Sequence, residues 1–466
     1  MHRTLSATLI ATFAAISTTA GAADPPAAAT SAPAPASPPS TASTDAKPAA
    51  PAPATPVAKM EAVPGFPDLD LPRVGGPDDD GFSVGEGPTS PIKELDEMES
   101  VRRSMLDLPF IERPLDDLTR GLNQLYAQTG LRLGFAYTML FQQASGGPGD
   151  RYGGAGDIDF LGSWTLFGRE TGNTGTLVVD GEYRFGIGSQ PPSALRGELG
   201  LLTATTGGFN DRGWVLRDFH WRQRFFEGKL RFLVGRADVS DYAGGTRLQS
   251  INLFFSNRAF SANASTAFPN GHGPAAGVTI APNDFFYVTA GAANALNSSN
   301  TINISSLDQG EFFYFAEVGI TPEIPNLGAG RYRLFLWHMD ERDQLGLPDD
   351  QGLSLILEQD FGDRLLAFLR YSYADASLND IRNSVQAGVG IRGLLGSDAN
   401  MTGAAFSFSE PASSDARDET VMEVFQRFQL TARTQFSLGA QLIVNPAYNP
   451  DQDVIGVFTA RFRLAF

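Results

Sequence analysis

The chain has 466 residues, a formal net charge of -17, no cysteine and 42% hydrophobic residues. The acidic balance excludes a nucleic-acid partner, which demands a basic stripe. The missing thiols exclude disulfide stapling, thiolate metal sites and thiol nucleophiles. Beyond the N-terminus no segment offers the roughly 18 to 20 uninterrupted apolar residues of a spanning helix, so a helical membrane protein is excluded too.

In chain order, Met1 to Ala22 joins Arg3 to an apolar stretch from Leu5 to Ile16 and the small residues Ala20, Gly21 and Ala22. That is the pattern of a secretory signal peptide, residues 1–22. Residues 23–63 read as a Pro/Ala-rich periplasmic linker, because Ala23 to Ala58 is Ala, Pro, Ser and Thr apart from Asp24, Asp45, Lys47 and Val57. Such a composition cannot bury a core and favours extended backbone. It is either a plain tether or a segment that touches peptidoglycan.

Residues 64–130 read as an acidic periplasmic region with two short helices. Glu61 to Ser100 carries eleven carboxylates against Arg73 and Lys93. After a loop from Pro64 to Gly87, the spacing of Ile92, Leu95, Met98, Val101, Met105 and Leu108 predicts an amphipathic helix that Pro109 stops. A second helix is expected from Pro114, with Asp116 and Asp117 in its first turn, a stripe of Leu115, Leu118, Leu122 and Leu125, and Gly130 at its end. It would sit at the periplasmic mouth of the strand-rich region that begins at Leu131.

From Leu131 to Phe466 the period is two. Leu131, Leu133, Phe135, Tyr137, Met139 and Phe141 alternate with Arg132, Gly134, Ala136, Thr138 and Gln142, and the last strand sets Val454, Gly456, Phe458, Ala460, Phe462, Leu464 and Phe466 against Thr459, Arg461 and Arg463. One face meets hydrocarbon and the other water. The spacing predicts an all-β fold, a transmembrane antiparallel β-barrel of about sixteen strands over residues 131–466, with the helical region before it. A barrel this wide holds water or an inward-folded loop. A soluble sandwich would not need the aromatics at strand ends, such as Tyr137 with Phe141 or Tyr371 with Tyr373.

The run from Gly213 through Trp214, Arg217, Asp218, His220, Trp221, Arg222 and Arg224 to Phe226, followed by Gly228 to Asp238, resembles the signature hairpin of the carbohydrate-selective outer-membrane porins of the OprB type. Asn252 with Phe254 and Phe255, the Tyr332 to Trp337 strand, Phe368 to Tyr371, Gly388 to Gly390, Glu423 to Phe428 and Gln441 to Pro446 extend the likeness over about residues 115–466. The resemblance implies a sixteen-stranded barrel, with a helical element near its start, that passes monosaccharides down their gradients across the outer membrane of a Gram-negative cell. Its partners would be small sugars and outer-membrane lipid, including lipopolysaccharide. Terminal Phe466 resembles the signal read by the barrel-assembly machinery.

A sugar offers hydroxyls and flat apolar ring faces, so a selective bore needs paired charges and aromatic surfaces. The polar face of the signature hairpin supplies Asp218, His220, Arg222 and Arg224, with Arg231 on the return. Arg331, Arg333 and Trp337 share a face; Trp337 is a stacking platform or, in the other register, part of a membrane-edge girdle. Asp180, Glu182, Arg184, Glu317, Arg370, Glu423, Arg427, Arg461 and Arg463 complete the expected lining, because a charge on the lipid face costs about 2–4 kcal/mol near the midplane. Each of these either contacts sugar or only lines a wet channel. No phosphate-binding loop, zinc spacing or calcium loop is present, so no cofactor or metal is expected. The pair His338 and Asp340 is the most that an enzyme reading offers, without a nucleophile motif beside it. The alternatives to a sugar pore are a general diffusion porin and a barrel that anchors membrane to cell wall.

Overall fold

The computed structural model describes residues 87–100, 104–269, 271–302 and 304–466. The expected signal peptide, linker and acidic loop, and Val101 of the first expected helix, lie outside them.

Two helices precede the strands. α1 (Pro91–Glu99) starts with Pro91 at its first position, and the Ser90 side chain accepts from the Lys93 amide, a standard way of satisfying an orphan donor. It ends at Glu99, so the expectation of one helix reaching Leu108 is corrected. Met105 and Leu106 lie in a bend and donate their amides to the carbonyls of Gln429 and Leu430. α2 (Pro109–Thr129) begins at Pro109, five residues before the expected start. Pro109 opens this helix because a first-turn residue has no intrahelical N–H bond to lose. Leu115, Leu122 and Leu125 are partly covered, whereas Leu118 is exposed and leaves the expected stripe. Gly130 caps α2 at φ 77°, where a Cβ would stand 2.3 Å from the Thr165 carbonyl oxygen. Only glycine fits there.

The strands are β1 (Leu131–Ala144), β2 (Tyr152–Phe167), β3 (Gly175–Gly186), β4 (Gly213–Phe225), β5 (Leu230–Ala237), β6 (Gly273–Asn283), β7 (Phe286–Asn294), β8 (Phe312–Ile320), β9 (Glu323–Ile324), β10 (Gly328–Met339), β11 (Asp350–Phe361), β12 (Leu365–Ala374), β13 (Ile381–Arg392), β14 (Met401–Pro411), β15 (Glu419–Gln429), β16 (Thr434–Val444) and β17 (Val454–Ala465). β9 is a two-residue stub paired to the start of β10. The other sixteen are antiparallel neighbours in chain order, and β1 pairs with both β2 and β17, so the sheet closes on itself. Closure removes both edges. The Phe135 and Phe466 backbones exchange hydrogen bonds of 2.8 and 3.0 Å at the seam.

Alternation sorts the side chains as the period requires. On β17, Ile455, Val457, Thr459, Arg461 and Arg463 are buried inward, while Val454 and Phe458 are exposed outward. The outer face carries an aromatic group at each rim: Trp214 with Tyr183, ring centroids 5.0 Å apart, and Phe167 with Trp221 at 5.8 Å. Aromatic belts of this kind mark the two interfaces of a membrane. Connections at the rim that holds Leu131 and Phe466 are short turns. At the opposite rim, residues 187–212 and 238–272 are long and fold into the bore.

The described residues between 238 and 272 pack against the inner face of the wall. They contain a 3-10 turn (Val239–Asp241) and the short helix α3 (Arg258–Ser261). Phe254, Phe255 and Phe260 pack on the inward residues Phe368 and Phe425, with Phe255 edge-on to Phe425 at 4.9 Å. Val239 and Ala243, with Phe268, meet a second inward cluster of Phe313, Phe315, Phe335, Trp337 and Met339. The barrel thus has an apolar core between its wall and its own inserted segment. Burying large apolar side chains contributes about 1.5–3 kcal/mol each, which fixes the segment in place.

Candidate functional site: a divided bore

The wall charges expected to meet solute divide into two groups. On the side of β8 to β17 they hold the inserted segment. Arg333 donates to the Gly245 carbonyl and to Glu358, both at 2.6 Å. Arg370 donates to the carbonyls of Ala259 (2.8 Å) and Ala262 (2.6 Å) and to Gln386. Glu423 accepts from the amides of Ser256 (2.7 Å) and Asn257 (2.9 Å), and Arg461 donates to the carbonyls of Ile251 and Phe254. Glu317 accepts from the Tyr287 hydroxyl and the Gly244 amide. Arg427 lies 5.4 Å from the Phe254 ring centre and 3.8 Å from Glu97. Trp337 faces the bore, as one of its two expected registers requires, but is covered, with its ring 6.2 Å from that of Phe313. Arg331 is likewise buried and inward.

The side of β2 to β5 is open. Glu182 meets Arg184 and, at 2.9 Å, Arg217. Asp157 lies 3.6 Å from Arg184 and Asp159 lies 3.8 Å from Arg463. The ligand oxygens of Asp157, Asp159 and Glu182 come within 4.8 Å of one another, the spacing a cation needs. Arg184, Arg217 and Arg463 already answer their charge. Asp180 is buried on the same face of β3. Asp218 accepts from the Tyr242 hydroxyl at 2.8 Å, and His220 stands edge-on to that ring. Arg222, Arg224 and Arg231 gather near the short-turn rim, Arg224 directly opposite Arg231, which donates to the Gly228 carbonyl.

Arg217 is outside the expected lining because strict alternation sends it to lipid. In the structure Asp180 pairs with Asp218 but Gly181 pairs with Leu216, so Arg217 is the extra residue of a β-bulge and turns inward beside Asp218. A bulge re-aims one side chain at the cost of a ladder bond. Arg217 then reaches Glu182, Asp238 and Asp241 at once. Asp238, at the start of the inserted segment, and His272, at its end, lie 3.2 Å apart. Burial pushes the Asp238 carboxyl up, but the hydrogen bond and charge of His272, with Arg217, hold it below the usual carboxylate range.

Among the described residues, two cavities border the inserted segment. One of about 230 Å³ lies toward the long-loop rim, against Arg196, Arg342 and Asp380. The other, of about 480 Å³, is lined by Glu182, Arg184, Arg217 and Asp241 from the wall and inserted segment and by Thr89 and Glu94 from the chain around α1. Arg258 and Phe268 line both. Arg258 opens α3 and is exposed within the bore, between the buried Asn257 and Ala259. Neither residue shows a periodic signal, because both stand on irregular chain.

His338 and Asp340 are 3.2 Å apart, but His338 lies on the outer face, stacked against Tyr314. That places the pair away from the cavities.

The profile of the family described as carbohydrate-selective porin, OprB family, matches residues 164–466. Porin AaxA of Chlamydia muridarum (strain MoPn / Nigg) is 22% identical over 280 residues, covering 59% of this chain and 60% of the relative, and Porin AaxA of Chlamydia trachomatis serovar D gives the same figures. The matched region spans less than two thirds of these relatives' length. The high-pH structure of Pseudomonas putida OprB superposes with a TM-score of 0.63 at 16% identity, covering 75% of this chain and 97% of that one; this likeness concerns the fold. A closed sixteen-strand wall, a segment folded into its bore and a profile match over most of the chain lead to one assignment: the chain belongs to the OprB family of carbohydrate-selective porins.

Proposed function

We propose that this barrel is an outer-membrane porin through which small carbohydrates diffuse passively, and that Arg258 and Phe268 form its neck. The observation that carries the reading is that these two residues border both cavities, so a solute crossing between them passes an arginine and a phenyl ring together. A guanidinium fork can bridge neighbouring hydroxyls while the ring covers an apolar sugar face. Glu182 and Arg184 on the wall of the larger cavity then offer a fixed acceptor and donor to the hydroxyls that come next.

On this reading the long-loop rim faces the exterior and the short-turn rim the periplasm. The N-terminal region is then periplasmic, and contact with lipopolysaccharide, the barrel-assembly machinery and peptidoglycan belongs to the same proposal. Family membership supports a channel rather than an enzyme.

Liposome swelling with the mature protein tests it. Glucose should enter faster than a zwitterionic solute of equal size, and Arg258→Ala with Phe268→Ala should reduce that preference while the barrel still assembles. Equal entry of both solutes into wild-type liposomes would make the protein a general diffusion pore. The wall pair Arg222 and Arg224, changed together to alanine, is expected to alter conductance without stopping assembly.

A further inference from the structure

α1 lies inside the barrel. Its acids are answered one after another by arginines on the inward face. Arg132 of β1 forks onto Glu99 at 3.0 and 2.9 Å and reaches Asp96 at 2.7 Å. Arg463 of β17 is 3.9 Å from Glu94 and Arg427 of β15 is 3.8 Å from Glu97. Arg433, in the turn between β15 and β16, donates to the Met98 carbonyl at 2.8 Å. The apolar stripe of the same helix packs Leu95 and Met98 on Ala136 and Leu161, two inward residues of β1 and β2. Gly134 leaves room for this, since a Cβ there would meet Leu95 Cδ2 at 2.7 Å and Met98 Sδ at 2.9 Å.

The partners fix the direction of the helix. Arg132, Arg427, Arg433 and Arg463 all belong to the short-turn rim, whereas Thr89, just before α1, donates to Asp241 of the inserted segment and accepts from Gln249. α1 therefore runs along the bore from the larger cavity out to the rim, contributing Glu94 to the cavity wall. We infer that α1 is an ion-pair-latched insert that forms one wall of the pore's exit and sets the width and charge of that exit.

The Arg132 end of the latch is of a releasable kind. The Arg132 side chain is 14% exposed and its partners Asp96 and Glu99 are 38% and 34% exposed, so solvent and salt screen these pairs. The apolar contact is limited to Ile92, Leu95 and Met98 on one face of a nine-residue helix. This inference rests on the barrel being a water-filled pore, and its test is separable from that reading.

Single-channel conductance of the full mature protein in planar bilayers provides the test. Arg132→Glu turns two attractions into two repulsions, and Leu95→Asp removes the apolar anchor; each should raise conductance about twofold, as a wider exit lowers the series resistance. Combining Arg132→Glu with Asp96→Lys and Glu99→Lys should restore the wild-type value, which damage to the barrel would not allow. Because the chain has no cysteine, Gly134→Cys with Leu95→Cys offers a clean lock: oxidised, it should hold wild-type conductance even with Arg132→Glu. Wild-type conductance in both Arg132→Glu and Leu95→Asp would overturn the inference while leaving the porin reading intact. A wild-type protein that opens no channel would instead remove the porin reading.

Discussion

The inserted segment 238–272 and α1 both sit inside this barrel, and they are held there differently. The segment 238–272 is tied by wall residues with almost no access to water, Arg333 and Glu358 at 0% side-chain exposure among them, and by phenyl rings on both flanks. α1 is tied at Arg132 by the partly exposed carboxylates of Asp96 and Glu99. The same residue types therefore do unequal work. A buried charge that loses its partner costs about 3–5 kcal/mol, whereas a partly exposed pair contributes about 0.2–1 kcal/mol. The inserted segment is in effect part of the wall, and α1 is a guest on it.

Arg333→Ala should strike this contrast hardest. It takes the guanidinium from buried Glu317 and leaves buried Glu358 to Arg247 alone, and the resulting loss of about 3–5 kcal/mol should appear as a lower unfolding temperature in heat-modifiability gels. A midpoint equal to that of Asp96→Asn would erase the distinction between the two inserts. Next in size is a change on the outside of the wall. Leu369, outward on β12 and 44% exposed, becomes costly as Leu369→Arg by about 2–4 kcal/mol in bilayers, whereas the neighbouring inward Arg370 carries its charge without that cost. Equal stability of Leu369→Arg and wild type in lipid would show that this face does not meet hydrocarbon.

The smallest effect concerns pH. The Asp238 carboxyl is held below the usual range, so its contribution is present above about pH 4, the unfolded value, and is lost as pH falls through the lower folded value. The tie between Asp238 and His272 joins the two ends of the inserted segment. Acidification below pH 4 should therefore lower the melting temperature by an amount worth about 1 kcal/mol. Asp238→Asn should flatten that part of the pH profile, and an unchanged acid limb would show that the tie is not closed in solution.

Most of the wall is legible in the sequence because a two-residue period leaves a plain trace: each charge of β3, β12, β15 and β17 falls on the phase opposite to its outward aromatics and aliphatics. The neck is not. Arg258 and Phe268 belong to a stretch whose apolar residues, Leu253, Phe254, Phe255 and Phe260, follow neither period because they bury against two curved walls at once. Arg217 does leave a signal. Adjacent charges at Arg217 and Asp218 cannot both face water on a regular strand, and the conflict itself marks the bulge. α1 is visible as an amphipathic helix, but its place in the bore depends on arginines scattered over β1, β15 and β17, which no local pattern connects. The boundary at Pro109 is ambiguous in sequence because proline ends one helix and begins another by the same loss of an N–H.

The seam between β1 and β17 carries a kinetic consequence. Every other pairing in the wall joins strands that are consecutive in the chain, and so can form as a hairpin soon after its turn closes. Ala136 against Ala465 is the exception, a contact between distant parts of the sequence. The entropy of bringing such ends together is incurred before any bond there forms. Assembly should thus resemble a zipper that runs quickly around the circle and then waits, and the bonds between Phe135 and Phe466 are the clasp on which that wait ends.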